Sequence, residues 1–234
     1  MRYVITDNRI DKKCEEGLLK RSFEIIRMPS LSSLQAPVSA HPDMLLFVGK
    51  GKLICHKDYF SIAEEQIKMI AEISGCEILL SDEKIGGKYP SDILFNAALV
   101  GDKLICKRSA VSKFVLELYS DNDVIDVKQG YAKCSICTVG DNAIITADKS
   151  IAKAARENRI DVLEIDNSHT RLEGYDCGFI GGASGDDGEN IYFCGSIDLH
   201  PESERIKEFC KAHGRGVGSL SDEALYDYGT LMFI

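Results

Sequence analysis

Apolar and polar positions alternate in blocks along this chain, and one kind of block recurs five times. Each copy is a short strand-like run that ends in a small residue. The runs cover residues 3–6, 52–55, 103–106, 143–146 and 191–194, and their last residues are 49, 51, 40 and 48 positions apart. A period of this size is typical of propellers, solenoids and other repeat folds.

The second copy shows the repeating unit most clearly. Residues 44–48 predict a strand, 49–51 a glycine-containing hairpin turn, and 52–55 the returning strand. Isoleucines at helical spacing then predict an amphipathic helix over 61–74, and 77–80 predicts a third strand. The unit is therefore strand, turn, strand, helix, strand (ββαβ).

The later copies repeat this order. The third copy predicts an outgoing strand, a returning strand, a helix face and a closing strand over 93–100, 103–106, 111–118 and 124–127. The fourth copy predicts a helix near 150–158 and a strand over 161–165, and the fifth has a Gly/Asp-rich turn at 186–188 followed by a helix around 206–213. Each copy thus supplies two strands that flank a central one.

The first copy is incomplete, and the C-terminus offers the part it lacks. It has a returning strand, a helix near 11–22 and a strand over 23–27, but no outgoing strand precedes them. The apolar segment 230–234 has no partner of its own. Pairing it with the first copy would remove open sheet edges, as propellers require. We predict one α/β domain over 1–234, a five-fold pseudo-symmetric ring closed by its N- and C-terminal segments.

Composition excludes several kinds of function. The chain is 44% hydrophobic and 28% charged, as in ordinary globular proteins. A net charge of −9 argues against binding a nucleic-acid backbone, and no apolar run approaches a membrane span. The N-terminus turns polar too early for a signal peptide, and the nine cysteines are odd in number. We expect a reduced, cytoplasmic protein without a membrane or nucleic-acid partner.

A ring of five ββαβ units resembles the pentein fold of the guanidino-group-modifying enzymes. That superfamily includes arginine deiminase, agmatine deiminase, dimethylargininase and the amidinotransferases. Three motifs, at 41–43, 129–135 and 178–185, also resemble those of a bacterial family of this fold that has no assigned reaction. The resemblance implies hydrolase- or transferase-like chemistry on a guanidino, amidine or related C–N bond.

The catalytic pattern of the superfamily is only partly matched. Its nucleophilic cysteine usually lies on the Gly-rich approach to the ring-closing strand, where 226–232 contains no cysteine. Its general-base histidine usually opens the outgoing strand of the fourth unit, where 132–135 contains no histidine. Both partners of covalent amidine catalysis are missing from their usual positions.

The segments that enter the outgoing strands carry the candidate chemistry. We expect them to converge at one mouth of the ring, where propellers and barrels hold ligands. Carboxylates and aromatic rings at one level would suit a small guanidino or amine compound. The alternative is that the rings cover the core and the aspartates cap turns. The candidate binding residues are Asp43, Asp92, Asn96, Tyr131 and Lys133.

Cys134 is the best remaining nucleophile, with His41 as its candidate acid/base. The neighbouring Lys133 would favour a thiolate, and His41 could approach from another unit. The alternative is that Cys134 is a buried small residue. Asn96 interrupts an apolar run, so its amide either pins nearby backbone or faces the central pore. Residues 134–137 have CxxC form, but on a strand the two thiols would point to opposite faces. We therefore predict no metal and no cofactor.

Two hypotheses follow. In the first, the protein is an enzyme in which Cys134 attacks, His41 moves protons, Asp43 and Asp92 hold the cation, and Asn96 orients the substrate. In the second, the fold is catalytically silent and binds a small metabolite or a protein partner. The sequence does not indicate the ligand, the oligomeric state or the physiological role.

Overall fold

Fifteen short strands form five separate sheets of three strands each. The computed structural model describes residues 1–234, apart from the side chain at position 122. The strands are β1 Arg2–Asp7, β2 Phe23–Met28, β3 Leu46–Gly49, β4 Lys52–His56, β5 Glu77–Ser81, β6 Ala98–Val100, β7 Lys103–Cys106, β8 Val124–Asp126, β9 Cys137–Val139, β10 Ala143–Thr146, β11 Asp161–Glu164, β12 Ser184–Asp186, β13 Asn190–Phe193, β14 Gly216–Ser219 and β15 Met232–Phe233.

Eight α-helices connect or precede these strands. They are α1 Lys12–Leu19, α2 Pro42–Leu45, α3 Lys57–Ile62, α4 Glu64–Ser74, α5 Lys113–Glu117, α6 Ala132–Ser135, α7 Lys149–Glu157 and α8 Ser203–Ala212. Short 3-10 turns lie at Ala36–Val38, Asp121–Asp123 and Ile197–Leu199. Within the described residues, no helix is long and apolar enough to cross a membrane.

Every sheet has the same internal order, with the returning strand in the centre. In the second unit, β4 pairs antiparallel with β3 and parallel with β5. Antiparallel neighbours can be joined by a tight turn, whereas a parallel neighbour needs a crossover, which α3 and α4 provide. The predicted ββαβ unit is thus present in the sheet topology, and the central strands are buried on both faces.

The first sheet is assembled from both ends of the chain. β15 pairs antiparallel with β1, with Val4 opposite Phe233 and Ile5 opposite Met232. Tyr3 and Ile234 extend this pairing, because the backbone N–H of each donates to the carbonyl of the other. β1 also pairs in parallel with β2, so the sheet has the order β15-β1-β2.

Several predicted boundaries are wrong at the entrances to the outgoing strands. Residues 44–48 are not one strand, because Pro42 begins the short helix α2 and the strand starts at Leu46. The run 93–100 is extended only from Ala98, since turns occupy the residues before it. The predicted helix 61–74 is two helices, α3 and α4.

The CxxC segment also differs from its predicted form. Cys134 lies in the helical turn α6, and Cys137 is the first residue of β9. The argument that both thiols alternate along one strand is therefore wrong. At these entrances the short apolar runs predict strands, whereas the residues form turns.

Candidate functional site

Six buried polar side chains lie where segments from different units meet. Each is at most 4% exposed, and we refer to them together as the polar layer. Its members are His41, Asp43, Asn96, Cys134, Asp227 and Thr230. They precede the outgoing strands β3, β6, β9 and β15, so residues far apart in the sequence share one site.

The α2 turn positions the first two members of the layer. His41 precedes Pro42, the first residue of α2, and the backbone N–H of Asp43 donates to the carbonyl of Gly229 at 3.1 Å. Gly229 has φ +72°, and a Cβ at that position would lie 2.2 Å from Cβ of His41. Only glycine fits this close approach between the second unit and the C-terminal segment.

Asp43 is the hub of the cluster. Its Oδ2 lies 2.8 Å from the hydroxyl of Thr230 and 3.1 Å from Sγ of Cys134, both of which donate to it. Among the described residues, its Oδ1 has no hydrogen-bond partner although it is buried. A carboxyl group in this setting has unused acceptor capacity.

Asn96 uses its amide to hold three segments together. Its Oδ1 accepts from the backbone N–H of Lys133 at 2.8 Å, and its Nδ2 donates to the carbonyl of Asp43 at 3.2 Å. Its Nδ2 also lies 3.0 Å from Sγ of Cys134. The sequence left two roles open for Asn96, holding nearby backbone in place or facing a central pore. These contacts are of the first kind.

The Cys134 thiol is in an environment that disfavours ionisation. Burial, with the negative charges of Asp43 and Asp227, raises its pKa well above the usual value, and the hydrogen bond from Asn96 opposes this only in part. The thiolate is the reactive form of cysteine, so this sulfur is a weak nucleophile in the resting protein.

His41 lies between two buried carboxyl groups. Its Nε2 is 3.7 Å from Oδ2 of Asp7, and its Nδ1 is 3.8 Å from Oδ1 of Asp227. Asp227 accepts the backbone N–H groups of Phe179 and Gly229. Burial raises the pKa of Asp227 to about 6, while His41 acts in the opposite direction. The imidazole contacts these carboxylates and not the sulfur in the described hydrogen bonds and ion pairs.

The glycine-rich motif 178–185 provides the close packing behind Asp227. A Cβ on Gly182 would lie 2.0 Å from Oδ1 of Asp227. The Gly182 carbonyl accepts from the backbone N–H groups of Tyr228 and Thr230. The segment therefore anchors the approach to β15.

A cavity of about 350 Å³ adjoins the polar layer. Asp43, Lys133 and Thr230 line it, together with Asp186. The outgoing strands of all five sheets, namely β3, β6, β9, β12 and β15, also contribute, and the remaining lining residues flank β6 and β15. Burial lowers the pKa of Lys133, against the opposing effect of Asp43. The cavity thus combines mostly apolar walls with two carboxyl groups, one amine and two threonine hydroxyl groups.

Asp92 and Tyr131 form a separate pair. The phenol of Tyr131 donates to Oδ2 of Asp92 at 2.8 Å, and burial raises the pKa of both groups. The Tyr131 ring is stacked with Phe179 and contacts Tyr89. Asp92 is thus joined to this aromatic group and is not among the residues that line the 350 Å³ cavity.

Sequence reasoning missed two members of the site and one neighbour of His41. Thr230 was predicted only as part of the ring-closing segment 230–234, and Asp227 lies in 226–232, where the only feature noted was a missing cysteine. Asp7 is the last residue of β1, and nothing in the sequence pattern marked it as a functional residue. Among the described residues, no group of three or more His, Cys, Asp or Glu side chains could hold a metal ion.

Comparison with solved structures defines the class of this fold. DDAH from Pseudomonas aeruginosa, solved as a mutant with citrulline, aligns with a TM-score of 0.58 and 12% identity over 94% of this chain and 92% of that chain. SxtG, an amidinotransferase from Microseira wollei, gives 0.54 and 11% over 94% and 88%. The N-terminal domain of ArgZ, a cyanobacterial arginine dihydrolase solved with substrate, gives 0.53 and 12% over 95% and 92%. The chain has the pentein fold.

The sequence itself matches a more specific group. The model of the family of unknown function DUF6873 matches residues 5–232. The chain therefore belongs to this family. A search of the curated proteins finds no match to the sequence.

Proposed function

We propose that this protein binds a small cationic metabolite, with a guanidino or amine group, in the 350 Å³ cavity. The observation that carries the proposal is the state of Asp43. It is fully buried, it lines the cavity, and its Oδ1 lacks a partner among the described residues. A buried carboxyl group with an unused oxygen is stabilised by a donor, and a guanidinium can donate two parallel N–H bonds to it.

The cavity has the size and lining of a small-molecule site. Such sites typically measure about 300–1,000 Å³ and combine apolar walls with a few polar groups. Phe47, Phe95 and Leu231 contribute apolar surface here, while Lys133 adds an amine and Asp186 a carboxyl group. A ligand with a cationic end and a short apolar stem would match this lining.

We also propose that the five sheets form a closed ring around the cavity. The pairing of β15 with β1 joins the two ends of the chain in one sheet. The outgoing strand of all five sheets contributes to the same cavity lining. Both observations support a continuous wall around a central pore.

The guanidino preference is supported by the fold neighbours. DDAH was solved with citrulline, and an arginine dihydrolase was solved with its substrate. Identities of 11–12% relate the solved neighbours to this chain through the fold alone. The ligand class is therefore proposed from the combination of this fold with the Asp43 cavity.

A covalent role for Cys134 is the second candidate. Its sulfur lies 3.1 Å from Asp43 Oδ2 and 3.0 Å from Asn96 Nδ2, so a cation held by Asp43 would lie close to it. Such a cation would offset the negative charge that raises the thiol pKa. Attack on an amidine carbon would then form a C–S bond as the C=N double bond opens, and the thiol proton would pass to the nitrogen. His41 would have to leave its position between Asp7 and Asp227 to serve as acid/base, so we favour the binding role.

One experiment tests the proposal. Binding of arginine, agmatine, methylated arginines and simple amines would be measured by thermal shift and titration calorimetry. Asp43→Asn should weaken the best ligand by at least about tenfold, a cost of about 1.4 kcal/mol. Asp58→Asn, at an exposed carboxylate, is the matched control and should bind normally.

The outcomes separate the two candidates. Retained affinity in a folded Asp43→Asn protein would refute the role of Asp43, and the absence of any binding would refute the ligand class. Turnover that disappears in Cys134→Ser, while binding remains, would establish the covalent alternative.

A further inference from the structure

A second cavity lies between the fourth and fifth units. It measures about 230 Å³ and shares no lining residue with the 350 Å³ cavity. Ser135 of α6, Asp148 at the start of α7, and the loop residues Asp166 and Cys177 line it, with apolar surface from Phe179 and Ile180. The proposed function leaves this cavity unexplained.

The hydroxyl of Ser135 is the first sign of a binding site. Ser135 is 3% exposed, and its Oγ has no hydrogen-bond partner among the described residues. Buried hydroxyl groups are nearly always paired, because an unpaired one costs free energy. Because Ser135 lines the cavity, a ligand bound there could supply the missing hydrogen-bond partner.

The charge of the lining indicates which ligands fit. Among the described residues, its charged members are Asp148 and Asp166, and none is Lys, Arg or His. Burial alone would raise the pKa of Asp148, but hydrogen bonds from Ser150, Ile151 and Gln129 outweigh it and lower the pKa. The carboxylate of Asp148 is therefore ionised at neutral pH.

Only part of Asp148 is used by the fold. Its Oδ1 caps α7 by accepting the backbone N–H groups of Ser150 and Ile151 at 2.8 and 2.9 Å. Its Oδ2 has one long contact, 3.4 Å from Nε2 of Gln129. One oxygen thus holds the helix while the other can accept a further donor.

We propose that this second cavity binds the ammonium group of a small aliphatic amine. An ammonium has three donors and no acceptor, which suits a carboxylate oxygen and a serine hydroxyl. The alkyl chain would lie against Phe179 and Ile180. The 350 Å³ cavity shares no lining residue with this one, so binding at the two sites can be tested separately.

Cys177 provides a direct readout, because it is exposed and lines the cavity. The rate of its alkylation would be followed by peptide mass spectrometry, with butylamine and 1,4-diaminobutane as probes. Uncharged butan-1-ol, of similar length, is the matched control ligand. Both amines should slow alkylation of Cys177, and butan-1-ol should not.

Two variants test the contacts. Asp148→Asn keeps a capping side chain but removes the charge, and Ser135→Ala removes the unpaired hydroxyl. Each should weaken amine protection by about tenfold, as expected for losing one hydrogen bond to a charged group. Ser135→Ala should melt no lower than the wild-type protein, which shows that its effect is on binding.

Three results would overturn the inference. They are no protection by millimolar amine, equal protection by butan-1-ol, or unchanged protection in both variants. In Asp43→Asn, amines should still protect Cys177 from alkylation, so this test is independent of the one for the 350 Å³ cavity.

Discussion

Asp43 and Asp92 make an instructive pair, because both are buried aspartates that precede an outgoing strand. Each has one carboxyl oxygen without a hydrogen-bond partner among the described residues. Asp43 accepts from Cys134 and Thr230 and lines the 350 Å³ cavity, whereas Asp92 accepts a hydrogen bond from Tyr131. The residue type is the same, so the difference arises from where each carboxyl group stands before its strand and from what the neighbouring units place beside it.

The largest effect should come from removing residues 230–234. This deletion takes away Thr230, which contacts Asp43, and the strand β15, which pairs with β1. The exposed edge of β1 and the opened core should destabilise the whole chain. We expect cooperative unfolding to be lost, as measured by circular dichroism and calorimetry.

A circular permutant is the matched control for the deletion. Joining residue 234 to residue 1 by a short Gly/Ser linker, with new ends between Lys50 and Gly51 in an exposed turn, keeps every strand. It should fold and melt cooperatively. A truncated protein that melts like the intact chain would contradict ring closure.

The next effect concerns pH and the carboxyl group of Asp227. Burial raises its pKa to about 6, whereas an unfolded aspartate has a pKa of about 3.9. The folded state thus keeps a proton that the unfolded state loses, and stability falls as pH rises between about 4 and 6. The loss should be at most about 3 kcal/mol.

Urea unfolding at several pH values measures this effect. The pH-dependent loss should be absent in Asp227→Asn, although that variant should also be less stable at all pH values because it disturbs the contacts with Phe179 and Gly229. If the free energy of unfolding of a folded Asp227→Asn protein still falls with pH as in the wild type, another group is responsible for the titration.

Ligand affinity tests whether Asp43 and Asp92 differ in their contribution to binding. Asp43→Asn should weaken binding by at least about tenfold, or about 1.4 kcal/mol. Asp92→Asn should change the affinity by less than about twofold, since that side chain does not line the 350 Å³ cavity. Calorimetric titration with the best ligand decides between them, and equal losses would show that both carboxyl groups hold the cation.

The smallest effect should come from Tyr131→Phe. It removes the hydrogen bond to Asp92, so the free energy of unfolding should fall by about 1 kcal/mol. Tyr89→Phe is the control. The hydroxyl of Tyr89 accepts from Nζ of Lys107 on the surface, so its removal should cost less than about 0.5 kcal/mol. Ligand affinity should be unchanged in both variants, and a marked loss in Tyr131→Phe would extend the site to the aromatic group.

Much of the fold could be predicted because its units are local. Alternating apolar runs, glycine turns and helical spacing act within about 50 residues, so the central strands β4, β7, β10 and β13 were located correctly. The entrances to the outgoing strands were not, since α2 and α6 are short turns whose form is set by contacts with other units. The hydrogen bonds from Asp43 to Gly229 and from Gly182 to Cys134 are examples.

The sequence by itself determined the repeated ββαβ unit, the resemblance to penteins and the absence of the usual cysteine and histidine. It also identified Asp43, Asn96 and Cys134 as chemically notable residues. Only the tertiary structure decided that these three meet Thr230 in one buried cluster, that His41 contacts Asp7 and Asp227, and that Asp92 pairs with Tyr131. The physical reason is range: periodicity records which face of a segment is buried, whereas hydrogen bonds between units depend on how distant segments pack.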